Sequence, residues 1–225
     1  MRRRSIDAAI VLAGGLLLAG CQSGGDSGPI AAAPEAAQMR PEPGVIDGWT
    51  YRDSQFDPHA YHKVMIDPQA QVYRGAGADY GSLDAQEVQK LAQMLPDETI
   101  ALLKSRDYLT DTPGPGVLRL RFTVLRISTT VPLAATASRI IPVGAVINLG
   151  REAMGKAGSL TGNATILIEV RDSVSDQVLM ASQRLVSPGA FDLESTLSTE
   201  NTARAIAKLV AEEIRTRLDK ATGRS

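Results

Sequence analysis

Hydrophobic positions along this 225-residue chain fall into alternating runs and helical stripes, separated by joints rich in proline and glycine. The clearest run is Val117 to Ile127. Leu118, Leu120, Phe122 and Val124 alternate there with Arg119, Arg121 and Thr123, which predicts a strand with one buried and one wet face. Ala164 to Arg171 alternates in the same way, and Gln177 to Val186 returns as its hairpin partner across Asp172–Asp176. A shorter strand is predicted over His62–Ile66, with a further extended piece at Gln71–Tyr73. Asp67-Pro68 separates them, and because proline lacks a ladder donor this strand lies at a sheet edge or bends there.

Two segments carry helical periodicity. Asp84 and Glu87 have capping-box spacing, and Val88, Leu91, Ala92 and Leu95 behind them share one face. Pro96, Asp97 and Glu98 resemble a second helix start, and Ile100 and Leu103 continue the stripe, so the segment is one kinked helix or two short helices in series. The last helix begins near Ser198 or Thr199, runs through the stripe Ala203, Ile206, Ala207, Val210, Ile214 and Leu218, and ends near Gly223. The fold class predicted from these elements is α+β: a two-layer sandwich with a mainly antiparallel sheet of about four strands and two amphipathic helices on one face.

The amino terminus has a different pattern. Arg2, Arg3 and Arg4 precede an apolar run from Ala8 to Ala19, which is too short for a permanent membrane span. Leu18-Ala19-Gly20-Cys21 then resembles a bacterial lipobox, and Cys21 is the only cysteine of the chain. The resemblance implies that Cys21 is acylated, becomes the mature first residue and anchors the protein in a membrane. Gln22, where inner-membrane lipoproteins tend to carry Asp, implies the outer membrane of a Gram-negative host, with the domain facing the periplasm. The organisation expected is therefore a signal peptide over 1–20, the lipidated cysteine and a flexible tether over 21–50, and a single domain over 51–222.

Inside that domain, the stretch 128–158 is a long connection with unusual composition. From Thr129 to Gly150 it holds one charge, Arg139, among Ile140, Ile141, Val143, Val146, Ile147 and Leu149. Pro142 and Gly144 prevent a long helix, and the segment is too apolar for disorder. Those six residues are the candidate contacts with a partner or ligand, the alternative being a lid folded over the core.

Composition narrows the chemistry. Removing the leader's three arginines and Asp7 leaves 21 basic residues against 24 acidic ones, a balance of −3. No basic stripe for nucleic acid is present. With Cys21 acylated no thiol remains for a disulfide, so a packed core must supply the stability. Asp57, His59 and His62 contain both histidines, but Pro58 breaks their alignment and no third strong ligand is near. Gly150–Ala157 approaches a phosphate-binding loop but has Ala157 where a hydroxyl is needed, and Asp172–Asp176 lacks the glycine and glutamate of a calcium loop. Arg119 and Arg121 offer two cations to an anion, although acids on a neighbouring strand are the simpler partners. No catalytic residue, metal ligand or cofactor is assigned.

Three joints carry a family resemblance: Pro113 to Arg121, Ser138 to Ala145 and Glu169 to Ala181. Over about residues 60–220 they resemble a domain-of-unknown-function family of uncharacterised bacterial lipoproteins. Relatives tend to have Thr-Gly where this chain has Ser175-Asp176. The resemblance implies layout and location, not an activity. The function expected is a lipid-anchored, non-catalytic envelope protein that binds an envelope partner or a second copy of itself. The alternatives are a small carrier of lipid or another hydrophobic ligand, and an envelope hydrolase that uses Asp192 and Glu194 in an unrecognised site.

Overall fold

A computed structural model describes residues 28–45, 47–129, 162–188 and 198–223 of the chain. Its strands are β1 (Arg40–Pro41), β2 (Trp49–Arg52), β3 (Lys63–Ile66), β4 (Gln71–Val72), β5 (Val117–Ser128), β6 (Asn163–Asp172) and β7 (Val178–Val186). Its helices are α1 (Ala85–Leu103) and α2 (Thr199–Thr222). The α+β class and the mainly antiparallel sheet stand, but the sheet has seven strands among the described residues rather than about four. Its order is β1-β2-β7-β6-β5-β3, with β4 also on β5. β3 and β4 both run parallel to β5, one after the other, and Asp67-Pro68 lies in the break between them.

The strands added are β1 and β2, at the end opposite β3. β1 and the first half of β2 lie in the segment expected to be tether, 21–50, where Pro41, Pro43 and Gly44 leave β1 no alternation to show. β2 is a strand because Trp49, Thr50, Tyr51 and Arg52 find Gln183 to Met180 across the ladder. Upstream of β1, residues Pro34–Gln38 form a 3-10 turn, and Ala36 and Met39 are buried.

The helices begin as the capping pattern predicts. Asp84 accepts hydrogen bonds from Gln86 N and Glu87 N, while the Glu87 side chain accepts from Asp84 N, closing the capping box. Ser198 accepts from Asn201 N at the start of α2, and Gly223 ends that helix in the left-handed region at φ 67°. Pro96 does not divide α1, which is one helix with the proline inside.

Two apolar layers result. The main core holds Phe122, Ile166, Leu120 and Val124 of the sheet against Leu91, Leu95, Ile206 and Val210 of the helices. A second, smaller cluster lies on the other face, where Met39, Leu125, Leu167, Val178 and Ala181 are covered by Trp49, Tyr51, Tyr73 and Ile30. The outer face is therefore only partly wet, and Thr123, expected in water, is buried. The polar part of that face is held by ion pairs: Asp67 takes Arg119 Nε at 2.5 Å on one oxygen and Arg121 Nε at 3.0 Å on the other. The anion for these two arginines is an acid of the chain itself, next to the neighbouring strand.

Candidate functional site

The helices do not cover the whole inner face. α1 seats on β4 and β5 and α2 on β6, and they pack along each other. A seven-stranded twisted sheet is wider than two helices, so its β7–β2 side extends past them. Between that overhang and the C-terminal half of α2 lies a groove of about 500 Å³. Its volume is in the range of small-molecule sites.

Strand register shows how the groove is built. Leu120, Val170, Met180 and Arg52 stand side by side across β5, β6, β7 and β2. In the next row Phe122 and Ile168 are followed by Ser182 and Thr50. The groove is therefore apolar on its β5–β6 side, through Leu118, Leu120, Ile168 and Val170, and polar towards β7 and β2. α2 contributes Glu213, Ile214, Arg217, Leu218 and Lys220 along the opposite wall. One end is closed by the loop after β2, where Phe56 and Tyr61 meet with ring centroids 5.8 Å apart. His59 Nδ1 lies 2.7 Å from the Ala221 carbonyl and ties this loop to the end of α2.

Charge is distributed unevenly around it. Arg184 pairs with Glu213 across the groove. Burial pushes the Glu213 carboxyl up, but the hydrogen bond and charge of Arg184, with Arg217, outweigh it and hold the group below its usual range. Arg217 also reaches Glu42 at 3.6 Å. Arg52 donates to the Phe56 carbonyl and lies 4.9 Å above the Phe56 ring, without a carboxylate partner among the described residues. Lys220 likewise has no carboxylate there. At the floor, Ser182 is 5 % exposed, and among the described residues neither its Oγ nor Arg184 Nε has a hydrogen-bond partner. Buried polar atoms of this kind are uncommon and call for an acceptor.

Several residues singled out in the sequence have local roles. Asp57 Oδ1 accepts from His59 N, as the cap of a short 3-10 turn. Asp172 Oδ1 accepts from Val174 N, Ser175 N and Ser175 Oγ, which shapes the β6–β7 turn. Asp176 occupies the left-handed region at φ 57°, the conformation for which a glycine in this place is suited. No group of three His, Cys, Asp or Glu residues able to hold a metal occurs among the described residues. Cys21, Asp192, Glu194, the 150–157 loop and the candidate contacts Ile140, Ile141, Val143, Val146, Ile147 and Leu149 lie outside the described residues. Of the groove residues, the sequence singles out His59 only as a metal candidate and Leu118, Leu120, Ile214 and Leu218 only as core, none of them as ligand contacts. The one available signal was the pair Trp49 and Tyr51, which alternate with Thr50 and Arg52 across the domain boundary expected at 51.

A family model described as "Protein of unknown function (DUF3313)" matches residues 35–214, which is most of the chain. The chain belongs to the DUF3313 family. The match begins ahead of β1, so the DUF3313 unit includes the strands that extend the sheet past its helices. It ends at Ile214, which leaves Arg217 and Lys220 outside it. None of the curated proteins matches. Among solved structures, similarity is found to the PelC dodecamer from Paraburkholderia phytofirmans, with TM-score 0.37 and 8 % identity over 72 % of this chain and 94 % of that one. A DUF4136 family protein from Bacteroides thetaiotaomicron gives 0.37 and 11 % over 78 % and 96 %. A DUF330 protein from Xanthomonas campestris gives 0.35 and 12 % over 76 % and 91 %. At such TM-scores these likenesses carry no argument about the role of the DUF3313 chain.

Proposed function

We propose that this DUF3313 protein is a non-catalytic, lipid-anchored envelope protein whose domain binds a ligand with a hydrophobic part. The observation that carries this reading is the groove between α2 and the uncovered side of the sheet. It favours the carrier reading over the adaptor reading, because it is concave and apolar along one side, whereas a protein interface is usually flatter. The lipobox supports the location: acylation of Cys21 would hold the domain at the periplasmic surface of the outer membrane.

The test is binding of Nile red, a neutral hydrophobic dye, to the purified protein. Met180 stands in the groove and is half-buried, so Met180→Trp fills space without disturbing the main core. The wild type is expected to bind the dye with a blue-shifted emission, and Met180→Trp to bind it at least about tenfold more weakly. Equal binding by both proteins, with unchanged melting temperature, would remove the groove from the account.

A further inference from the structure

We infer that the ligand of this groove is a single-chain amphiphile with an anionic head group. The inference rests on the proposed groove and adds the chemistry of its occupant. The two sides of the groove differ in kind: aliphatic side chains come from β5 and β6, and donors come from β2, β7 and α2. A wholly apolar ligand would leave the second side unused, and a wholly polar one would leave Leu118, Leu120, Ile168 and Val170 in contact with water.

The sign of the head group follows from the charges. Arg52, Arg184, Arg217 and Lys220 line the groove with Glu213 as the only carboxylate among its lining residues. Glu213 is shared by Arg184 and Arg217, and Glu42 adds a longer contact to Arg217. Among the described residues Arg52 and Lys220 have no acidic partner, on a chain whose formal net charge is −1. A cationic mouth on an acidic protein is complementary to an anion, and a planar guanidinium suits a carboxylate or phosphate. Ser182 Oγ and Arg184 Nε, which have no partner among the described residues, lie on this same donor side. They supply further donors to oxygen atoms entering from the groove.

The experiment is displacement of Nile red from the full chain by palmitate, hexadecyl phosphate, hexadecanol and hexadecyltrimethylammonium. These probes share one chain length and differ in the head. Both anions are expected to displace the dye at concentrations at least about tenfold lower than hexadecanol, and the stronger of them identifies the head as carboxylate or phosphate. The exposed pair Arg52→Gln and Lys220→Gln should narrow that preference to about twofold or less, each displacement being read against the variant's own affinity for the dye. Equal displacement by hexadecanol, or stronger displacement by the ammonium, would overturn the inference and leave the groove intact. An anion preference kept in full by the double variant would overturn the assignment of the cations. Absence of dye binding to the wild type would instead defeat the groove reading on which the inference stands.

Discussion

Arg184 in β7 and Glu213 in α2 form an ion pair that joins the overhanging side of the sheet to the helix beside it. Both belong to the groove, and the Arg184 side chain is 12 % exposed. Glu213→Gln should leave that guanidinium without its counter-charge and cost about 1–3 kcal/mol, read from urea unfolding. Arg217→Gln, whose side chain is half-exposed, should cost under about 1 kcal/mol. Equal losses would show that the Arg184 pair is no more than a surface contact.

Three carboxylates predict an acid-sensitive fold. Hydrogen bonds from Ser175 lead in holding Asp172 below the usual range, the Tyr108 hydroxyl leads for Asp219, and Arg184 outweighs burial at Glu213. A carboxyl whose folded pKa is depressed stabilises the fold above its unfolded value, near 4, and that contribution is lost as pH falls through the folded value. The urea midpoint should therefore be flat from about pH 7 to 5 and fall below about pH 4. Glu213→Gln should make the acid limb shallower. A midpoint that rises on acidification would contradict the signs.

Burial predicts the costs in the main core. Phe122, with no exposure, and Ile206, at 4 %, should cost about 3–5 and 2–5 kcal/mol on replacement by alanine. A polar change on the opposite face should be comparable in one place. Asp67→Ala removes the carboxylate that Arg119 and Arg121 share, leaving Arg119 only the longer contact to Asp176 at 3.6 Å, and should cost about 2–3 kcal/mol. Arg119→Ala should cost about 1 kcal/mol, because Arg121 still holds Asp67. Thermal and urea unfolding of the four variants would show whether this ranking holds.

Acylation of Cys21 is expected to place the protein in the membrane fraction, with a peptide that begins at Cys21 and carries acyl mass. Cys21→Ser should release the protein from that fraction with its melting temperature unchanged. An intact leader or a free thiol at Cys21 in the wild type would contradict this.

Local signals made much of the fold legible in the sequence. Asp84 with Glu87, Ser198 and Gly223 mark helix ends through hydrogen bonds to nearby residues, and the alternation from Leu118 to Val124 reports a burial that neighbours share. β1 left no such trace, and β2 only the short alternation of Trp49 and Tyr51 with Thr50 and Arg52. They are two and four residues long, and β2 exists through its pairing with β7, about 130 positions away along the chain. Thr123 was misplaced for the same reason, since Trp49, Tyr51 and Tyr73 around the second cluster come from elements remote in sequence. The groove was illegible because it depends on how far the sheet extends past its helices, which no single segment encodes.

The most direct measurement of the central claim is a methyl NMR titration of the protein with palmitate. The account predicts shifts at Leu118, Leu120, Ile168, Val170, Met180 and Leu218, which line the groove, with Leu91, Leu95 and Ile206 at the other end of the core unmoved. Shifts centred on Leu91 and Ile206, or no saturable shifts at all, would contradict it.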